Sequence, residues 1–450
     1  MMKRVVMRGL LVFSCLGTAA HAFAPANFGR AYDYAGRLSS LADVNFKLGA
    51  KLEYGDTRDG RNSLHQRRNV LALQDDTQST LNMILNPVGA VATNAALAAA
   101  ITGLTFGGQP IPVDDSATGG TRGREKLMGR FSELDTTFYA GYNFSMGDWV
   151  GSLALSLFVP VVWKKIDQVS IKDLTLANAN VQNSRTRRFV TNNLTTNVQA
   201  WGGLDLSAWD KTGVGDITLL LEWKKLLFPD CDYVKRVNFM AQLGVIFPSA
   251  QEKDENRAFS MPLGNDGAWS MPFGLGMEMM FPYYIKIGVD GTVEVLFDHT
   301  RVRRLKTNVN QTEFFLLNKG RATKRYGLTW QGHAFIEAFH FWDGLSLKFE
   351  YQYVSHDKDK LVSQDPAFNN ATINALNGLK TWNINNLIFS ATYDFCAHRH
   401  FHCDHRSSCH EREDDCFHIV PQIQFFYKLA VDGRNLIDND TVGGQLAFSF

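Results

Sequence analysis

Two groups of side chains in this sequence have the types and spacing to do chemistry. The first is the segment 396–418, where Cys396, Cys403, Cys409 and Cys416 are interleaved with six histidines, among them His400, His402 and His405. Thiolate and imidazole together suit a soft or borderline metal such as zinc or copper. Six, five and six residues separate the cysteines and no Cys-x-x-Cys pair occurs, so the spacing matches no standard zinc module. In an oxidising compartment the same thiols would close two disulfides instead, and that reading is preferred over a metal site built from Cys396, Cys403, Cys409, Cys416, His400, His402 and His405. Connectivity cannot be read from spacing. The second group is an acidic row, Asp290, Glu294 and Asp298, preceded by Lys286 on the same alternating stretch. An even interval on a strand places such groups on one face, where they would meet a cation or a polar solute. Arg236, Glu337, Lys348 and Glu350 hold the equivalent face of other stretches. His299, His333 and His340 have no Ser or Asp at a spacing diagnostic of nucleophilic catalysis, so no enzyme is expected.

The elements that would position these groups are long alternating strands. Leu345, Leu347, Phe349, Tyr351 and Tyr353 alternate with Ser346, Lys348, Glu350 and Gln352; similar patterns run through 236–247 and 283–297. Noisier alternation marks 43–54, 131–144, 150–163, 215–226, 269–281, 325–340, 382–395, 417–430 and 441–450, giving twelve segments. Most match the ~9–11 residues a tilted strand needs to cross a bilayer. A hydrophobic content of 45% without a spanning apolar helix fits strands that give half their residues to lipid. The expected fold is therefore all-β, an antiparallel up-and-down transmembrane barrel of about twelve strands.

Connection lengths test that expectation independently. Counted back from Phe450, alternate connections are 145–149, 227–235, the turn at 281–283, 341–344 and 396–416, four of them short. The others, 55–130, 164–214, 249–268, 299–324, 356–381 and 431–440, are longer. Short periplasmic turns and long outer loops are the sidedness of outer-membrane barrels. Aromatics collect at the short-turn ends, including Phe144, Trp149, Phe228, Tyr233, Tyr283, Tyr284, Phe341 and Trp342, as an interfacial girdle would require. The Cys/His segment and Cys231 fall on the periplasmic side of this scheme.

Both chain ends fit it. Residues 1–22 carry Lys3, Arg4 and Arg8, then an apolar run, then Ala20 and Ala22, the form of a secretory signal peptide; residues 23–450 would be one barrel domain. At the other end Leu446, Phe448 and Phe450 alternate with small or polar residues. This pattern resembles the terminal strand of Gram-negative outer-membrane β-barrel proteins, and the resemblance implies that Phe448 and Phe450 form the mark read by the barrel-assembly machinery. A further stretch, Gly213-Val214-Gly215-Asp216 followed by Val245-Ile246-Phe247-Pro248-Ser249, resembles the FadL-type family of hydrophobic-compound transporters over fewer than forty residues. Those transporters typically have fourteen strands and an N-terminal hatch, a departure from the twelve counted here.

Two features of the outer loops bear on function. Thr77–Val113 has no charged residue and is expected either to pack as a plug or to form a mobile loop. Basic clusters (Arg58, Arg61, Arg67 and Arg68; Arg185, Arg187 and Arg188; Arg301, Arg303, Arg304 and Lys306) would face lipopolysaccharide phosphates or simply water. A net charge of +1 gives no reason to expect nucleic acid. The mixed-charge lumen implies an outer-membrane channel for passive diffusion of small hydrophilic solutes. A FadL-like carrier and a structural or adhesive barrel with a blocked lumen are the alternatives. Expected partners are outer-membrane lipid, lipopolysaccharide, the assembly machinery and a small-molecule solute.

Overall fold

Strict alternation becomes twelve long strands closed on themselves. This computed structural model describes residues 46–95, 123–147, 149–174, 193–230, 232–342, 344–395 and 420–450, with a few positions between 97 and 110. The expected signal peptide (residues 1–22), Cys231, Arg185, Arg187, Arg188 and the Cys/His segment 396–416 lie outside the described residues. The barrel strands are β1 (Phe46–Thr57), β2 (Arg124–Ser145), β3 (Ser152–Asp173), β4 (Ile217–Leu227), β5 (Arg236–Phe247) and β6 (Ser270–Phe281). They continue with β7 (Ile285–Leu296), β8 (Thr329–Trp342), β9 (Leu345–His356), β10 (Trp382–Asp394), β11 (Val420–Arg434) and β12 (Thr441–Ser449). Each pairs antiparallel with its sequence neighbour, and β12 returns to β1 from Ser449↔Lys47 to Thr441↔Gly55, so no barrel edge is left open. Reciprocal bonds between Phe46 and Phe450 (2.8 and 3.3 Å) tie off this seam.

The period of two sorts the side chains. Leu52, Phe138, Leu275, Val289, Phe389, Phe425, Val442 and Leu446 point outward and are exposed, a belt that water would not tolerate and lipid would cover. At the short-turn end Phe144, Trp149, Phe228, Tyr233, Tyr283, Tyr284, Phe341, Trp342 and Phe395 are also exposed. The tightest turn, between β6 and β7, is a single 3-10 turn, Pro282–Tyr284, with both tyrosines in the left-handed region (φ 63° and 62°). On the inner face Lys51, Glu53, Lys286, His333, Glu350, Gln352 and Lys428 are buried. No described helix is long and apolar enough to cross a membrane.

Two strands differ from expectation. β2 and β3 are each 22 residues long and run about seven and about ten residues further outward than the alternation indicates. Opposite Gly129 the register shifts, with Gln168 and Val169 of β3 facing that one residue and Gln168 at a positive φ (51°); this bulge breaks the period of β3, and bulges of this kind bend and twist a strand. The extension carries Leu127 and Ile166 on its inner face, with Phe131 at its base, each at most 1% exposed.

These side chains seed a core contributed by the outer loops. Val70, Leu71, Leu81, Met83, Ile84, Val91 and Leu97 come from the first loop, and Leu194, Val198, Trp201, Leu204, Leu206 and Trp209 from the second. Phe259, Met261, Leu263, Phe315, Leu317 and Ile437 join them from later loops. The second loop supplies helix α1 (Leu194–Gly202), whose buried Leu194, Val198 and Trp201 recur at helical spacing. Gly203 (φ 57°) ends it: its N–H donates to Gln199 O, and that of Leu204 to Val198 O. A second cluster, with Leu305, Leu316, Ala322, Leu361, Phe368, Ile373, Leu376 and Leu379, backs a three-stranded sheet of 299–304, 319–325 and 360–363. Within the charge-free Thr77–Val113 stretch, 78–84 is thus packed while 86–95 is mostly exposed around a buried Val91, and the stretch forms short 3-10 and α turns rather than a long helix.

Candidate functional site: the charged lumen and the outer lid

The lumen candidates fall into a ladder across adjacent strands. Arg236 on β5 faces Glu278 on β6 (3.8 Å), and Lys286 on β7 faces Glu337 on β8 (3.9 Å). On β9 Lys348 pairs with Glu350, which also meets His333 Nδ1 of β8. Lys286 and Lys348 sit over the rings of Phe339 and Phe335, at 3.2 and 4.5 Å. On the opposite wall Glu53 takes Lys51 (2.7 Å), Lys428 (3.1 Å) and the Thr441 hydroxyl (2.7 Å), while Lys164 faces Glu133 at 3.6 Å. Such pairing within the wall offsets the cost of burying each charge.

The acidic row does not stay together. Glu294 is buried and accepts from Asn265 Nδ2 (3.3 Å), whereas Asp290 lies opposite His333 in the β7–β8 register. Asp298 falls beyond the end of β7 at the outer rim, exposed and paired with Arg325 (3.3 Å). The strand stops two residues short of it, so the even interval no longer places it in the lumen.

The FadL-like motif residues meet one another. Ser249 Oγ donates to Gly215 O (2.8 Å) and accepts from Ile217 N (2.9 Å), and Asp216 accepts from Ala250 N (3.0 Å) and from Asn265 N. They fasten the outer end of the β4–β5 hairpin to the 249–268 loop.

The 301–306 basic cluster is held inside the lid, whereas in the first cluster only Arg61 is drawn in and Arg68 pairs at the surface. Arg61 binds Asp438 (3.0 Å) and Arg68 binds Asp76 (2.9 Å). Arg301 binds Glu255 and Asp266 (2.9 and 2.8 Å), and Arg303 binds Asp266 (2.6 Å). Asp266 is held far below the ordinary carboxylate range: burial opposes ionisation, but Arg303, Arg301 and Lys324 outweigh it. Arg304 spends its donors on main-chain carbonyls, those of Leu316 (2.8 Å) and of Leu317, Gly202 and Gly203 (each 3.0 Å), and on Glu255 O. Burial lowers its pKa to about 10. It joins the C-terminal end of α1 to the 305–318 segment, where a cation also suits the helix dipole.

That segment is strapped to the first loop. Gln311 donates to Met83 O and Leu85 O (3.3 and 3.2 Å), Thr307 to Leu85 O (2.7 Å), and Asn377 to Gln74 O (2.8 Å). Asp75 accepts from Glu313 N (3.0 Å) and Glu313 from Gly378 N (2.5 Å). Burial, with Asp75 beside it, raises Glu313 to about 7.

Where the two lid clusters meet, a cavity of ≈ 220 Å³ opens. Five cations (Lys253, Arg257, Arg303, Arg304 and Lys324) and three carboxylates (Glu255, Asp266 and Glu313) line it. Its apolar wall includes Phe259, Met261, Phe314, Leu361 and Leu376. Sequence reasoning did not find this cavity, because its lining comes from five separate segments. It also missed a hydroxyl–imidazole–carboxylate chain: Thr329 Oγ1 to His356 Nδ1 (2.7 Å) and His356 Nε2 to Asp359 (2.9 Å). All three residues are buried, and Lys324 holds Asp359 (2.8 Å), so the chain ties β8 and β9 to the lid.

No family model and no curated sequence matches the chain. Among solved structures, it is similar to an outer membrane channel from Pseudomonas putida F1 at 9% identity and a TM-score of 0.48, covering 90% of this chain and 96% of that one. It is also similar to the Pseudomonas putida toluene transporter TodX (10% identity, TM-score 0.30, 96% and 95% covered) and to a Pseudomonas aeruginosa FadL homologue (9%, 0.27, 90% and 89%). The fold itself rests on the strand pairing: a closed, antiparallel, twelve-stranded barrel of the outer-membrane type.

Proposed function

We propose that this chain is an outer-membrane channel of a diderm bacterium whose outer mouth is gated by a folded lid. Small solutes would cross the charged lumen when the lid opens. One observation carries this reading: the lid has its own apolar core, and that core continues onto the inner faces of β2 and β3 through Leu127, Phe131 and Ile166. A loose porin loop would not bury residues to this degree. A polar lumen suits hydrophilic solutes, while the apolar wall of the lid cavity favours a second reading in which the solute has a hydrophobic body. Arginines outside the lid core, such as Arg67, would contact lipopolysaccharide, and Phe448 and Phe450 would serve assembly.

Planar-bilayer recording tests the proposal. Wild-type protein should open rarely and briefly, and Phe315→Asp, which places a charge at a fully buried lid position, should lengthen the openings. A folded barrel that never conducts in either form would refute a channel and leave a structural role.

A further inference from the structure

We infer that three inward-facing glycines, Gly49, Gly288 and Gly443, set the bore of the lumen by seating aromatic rings flat against its wall. The inference names what limits the size of a solute, and in that respect rests on the channel reading.

The same pairing occurs on three seams. Gly49 of β1 stands directly opposite Tyr139 of β2, Gly288 of β7 opposite Phe335 of β8, and Gly443 of β12 opposite Phe426 of β11. All six positions lie on the inner face, in step with buried Lys51, Thr137, Lys286, His333, Lys428 and Gln445 of the same strands. Residues directly opposite each other hold their Cβ atoms only ~4.5–5.5 Å apart, so a side chain normally fills the place where a ring could lie. Here a methyl group added to any of the three glycines would overlap Cε1 and Cζ of the ring opposite. Each ring therefore reaches sideways over the neighbouring strand rather than toward the barrel axis. The hydroxyl of Tyr139 fixes that direction independently: it passes over β1 and accepts from Gln445 Nε2 of β12 (2.8 Å). A glycine inside a strand weakens it, and a ring laid over the glycine offsets the loss.

Other groups stand on these rings. Lys348 Nζ lies over Phe335 at 4.5 Å and Lys51 Nζ over Phe426 at 5.7 Å, while Phe158 packs against Tyr139 at 6.0 Å. A ring lifted from its seat would carry its neighbours inward with it. Barrel size makes this matter. About eight strands are filled by their own side chains, and about sixteen leave an aqueous channel. The present barrel falls between, so whether large inward rings lie flat or stand decides what can pass.

Planar-bilayer recording on the full-length protein tests this, with neutral polyethylene glycols of graded size as probes. Gly49→Ala and Gly288→Ala should each cut the current of an opening to roughly half and exclude polymers that wild type admits, at unchanged open probability. Phe335→Ala added to Gly288→Ala should restore at least the wild-type current. Gly443→Ala is the poorer variant, because its methyl would also meet the main-chain carbonyl of Leu52. Should the alanine variants misfold, Gln445→Leu removes the tether of Tyr139 without crowding a seat. It should add a flickering lower current level, which Tyr139→Leu in the same chain abolishes. Wild-type current in folded Gly49→Ala and Gly288→Ala, or a steady wild-type current in Gln445→Leu, would overturn the inference. The seats are also readable without current: in denaturant unfolding from vesicles, Gly288→Ala and Phe335→Ala should be non-additive, and simple additivity would count against the seat. Coupling of that kind in a folded barrel that never conducts would sink the channel reading alone; conduction indifferent to the glycines would sink only this inference.

Discussion

Replacing Arg304 by methionine should unlock the lid while leaving the barrel intact. The arginine makes four bonds to the carbonyls of Gly202, Gly203, Leu316 and Leu317, at 2.8 to 3.0 Å, and a fifth to Glu255 O. Methionine keeps most of the apolar stem and removes every donor. A hydrogen bond to a charged group contributes ~1.5–3 kcal/mol net, and a buried acceptor left unsatisfied costs ~1–3 kcal/mol. These terms overlap, and water will reach some of the freed carbonyls, so the loss is about 3–5 kcal/mol rather than the simple total. At ~1.4 kcal/mol per tenfold change, the open population rises by roughly two to four decades. Single-channel recording should show this as a large gain in open probability at unchanged conductance per opening. Limited proteolysis should cut 305–318 faster in parallel. Arg304→Lys, with three donors and no fork, should fall between. If Arg304→Met retains the heat-modifiable mobility of a folded barrel, yet its open probability and cleavage rate match wild type, the lid is not held as argued.

Other expectations follow from the same geometry. Glu313 is raised to about 7 by burial and by Asp75, against Gly378 N–H, Lys306 and Lys253. Its folded pKa lies above the unfolded value of ~4.3, so its stabilisation of the lid is fully present below about pH 4.3 and is lost as pH rises through 7. Open probability should climb between about pH 4 and 7 and level off above that, and Glu313→Gln should flatten the climb; an identical slope in the variant would count against it. Leu275→Arg puts a charge at a lipid-facing position 71% exposed in the bare chain and should cost ~2–4 kcal/mol in denaturant unfolding from vesicles. Glu53→Gln leaves Lys51 and Lys428 buried without their shared carboxylate and should cost ~3–5 kcal/mol, part of which Lys428→Met in the same chain should restore. For the Cys/His segment, alkylation of periplasm-exported protein should find Cys396, Cys403, Cys409 and Cys416 blocked as disulfides; free thiols with bound zinc would reverse that preference.

The barrel was legible because its code is local. Each strand alternates over its own length, as in 345–353, and loop lengths sort by parity without reference to contacts. The lid was not legible, because its contacts join segments far apart in sequence: Gln311 reaches Met83 across 228 positions, and Asn377 reaches Gln74 across 303. The outward end of β3 was hidden by the bulge at Gln168, and Asp298 looked like part of a strand that ends at Leu296. Arginines 301, 303 and 304 read as a surface cluster, since charge alone does not disclose which loops will cover it. Thr329, His356 and Asp359 are separated by a hairpin, and only the β8–β9 register brings the hydroxyl to the imidazole.

The 22-residue strands β2 and β3 have a mechanical consequence. On their side the cover is a prolongation of the staves, stiffened by the same ladder that spans the bilayer, and it has no joint at which to swing. Across the ring, the small sheet of 299–304, 319–325 and 360–363 hangs from linkers between β7 and β8 and between β9 and β10. If the lid opens as proposed, that half would lift, once the ties of Arg304 and Gln311 release. Passage would then be a crescent along one rim, tilted toward the far wall, rather than a hole at the centre.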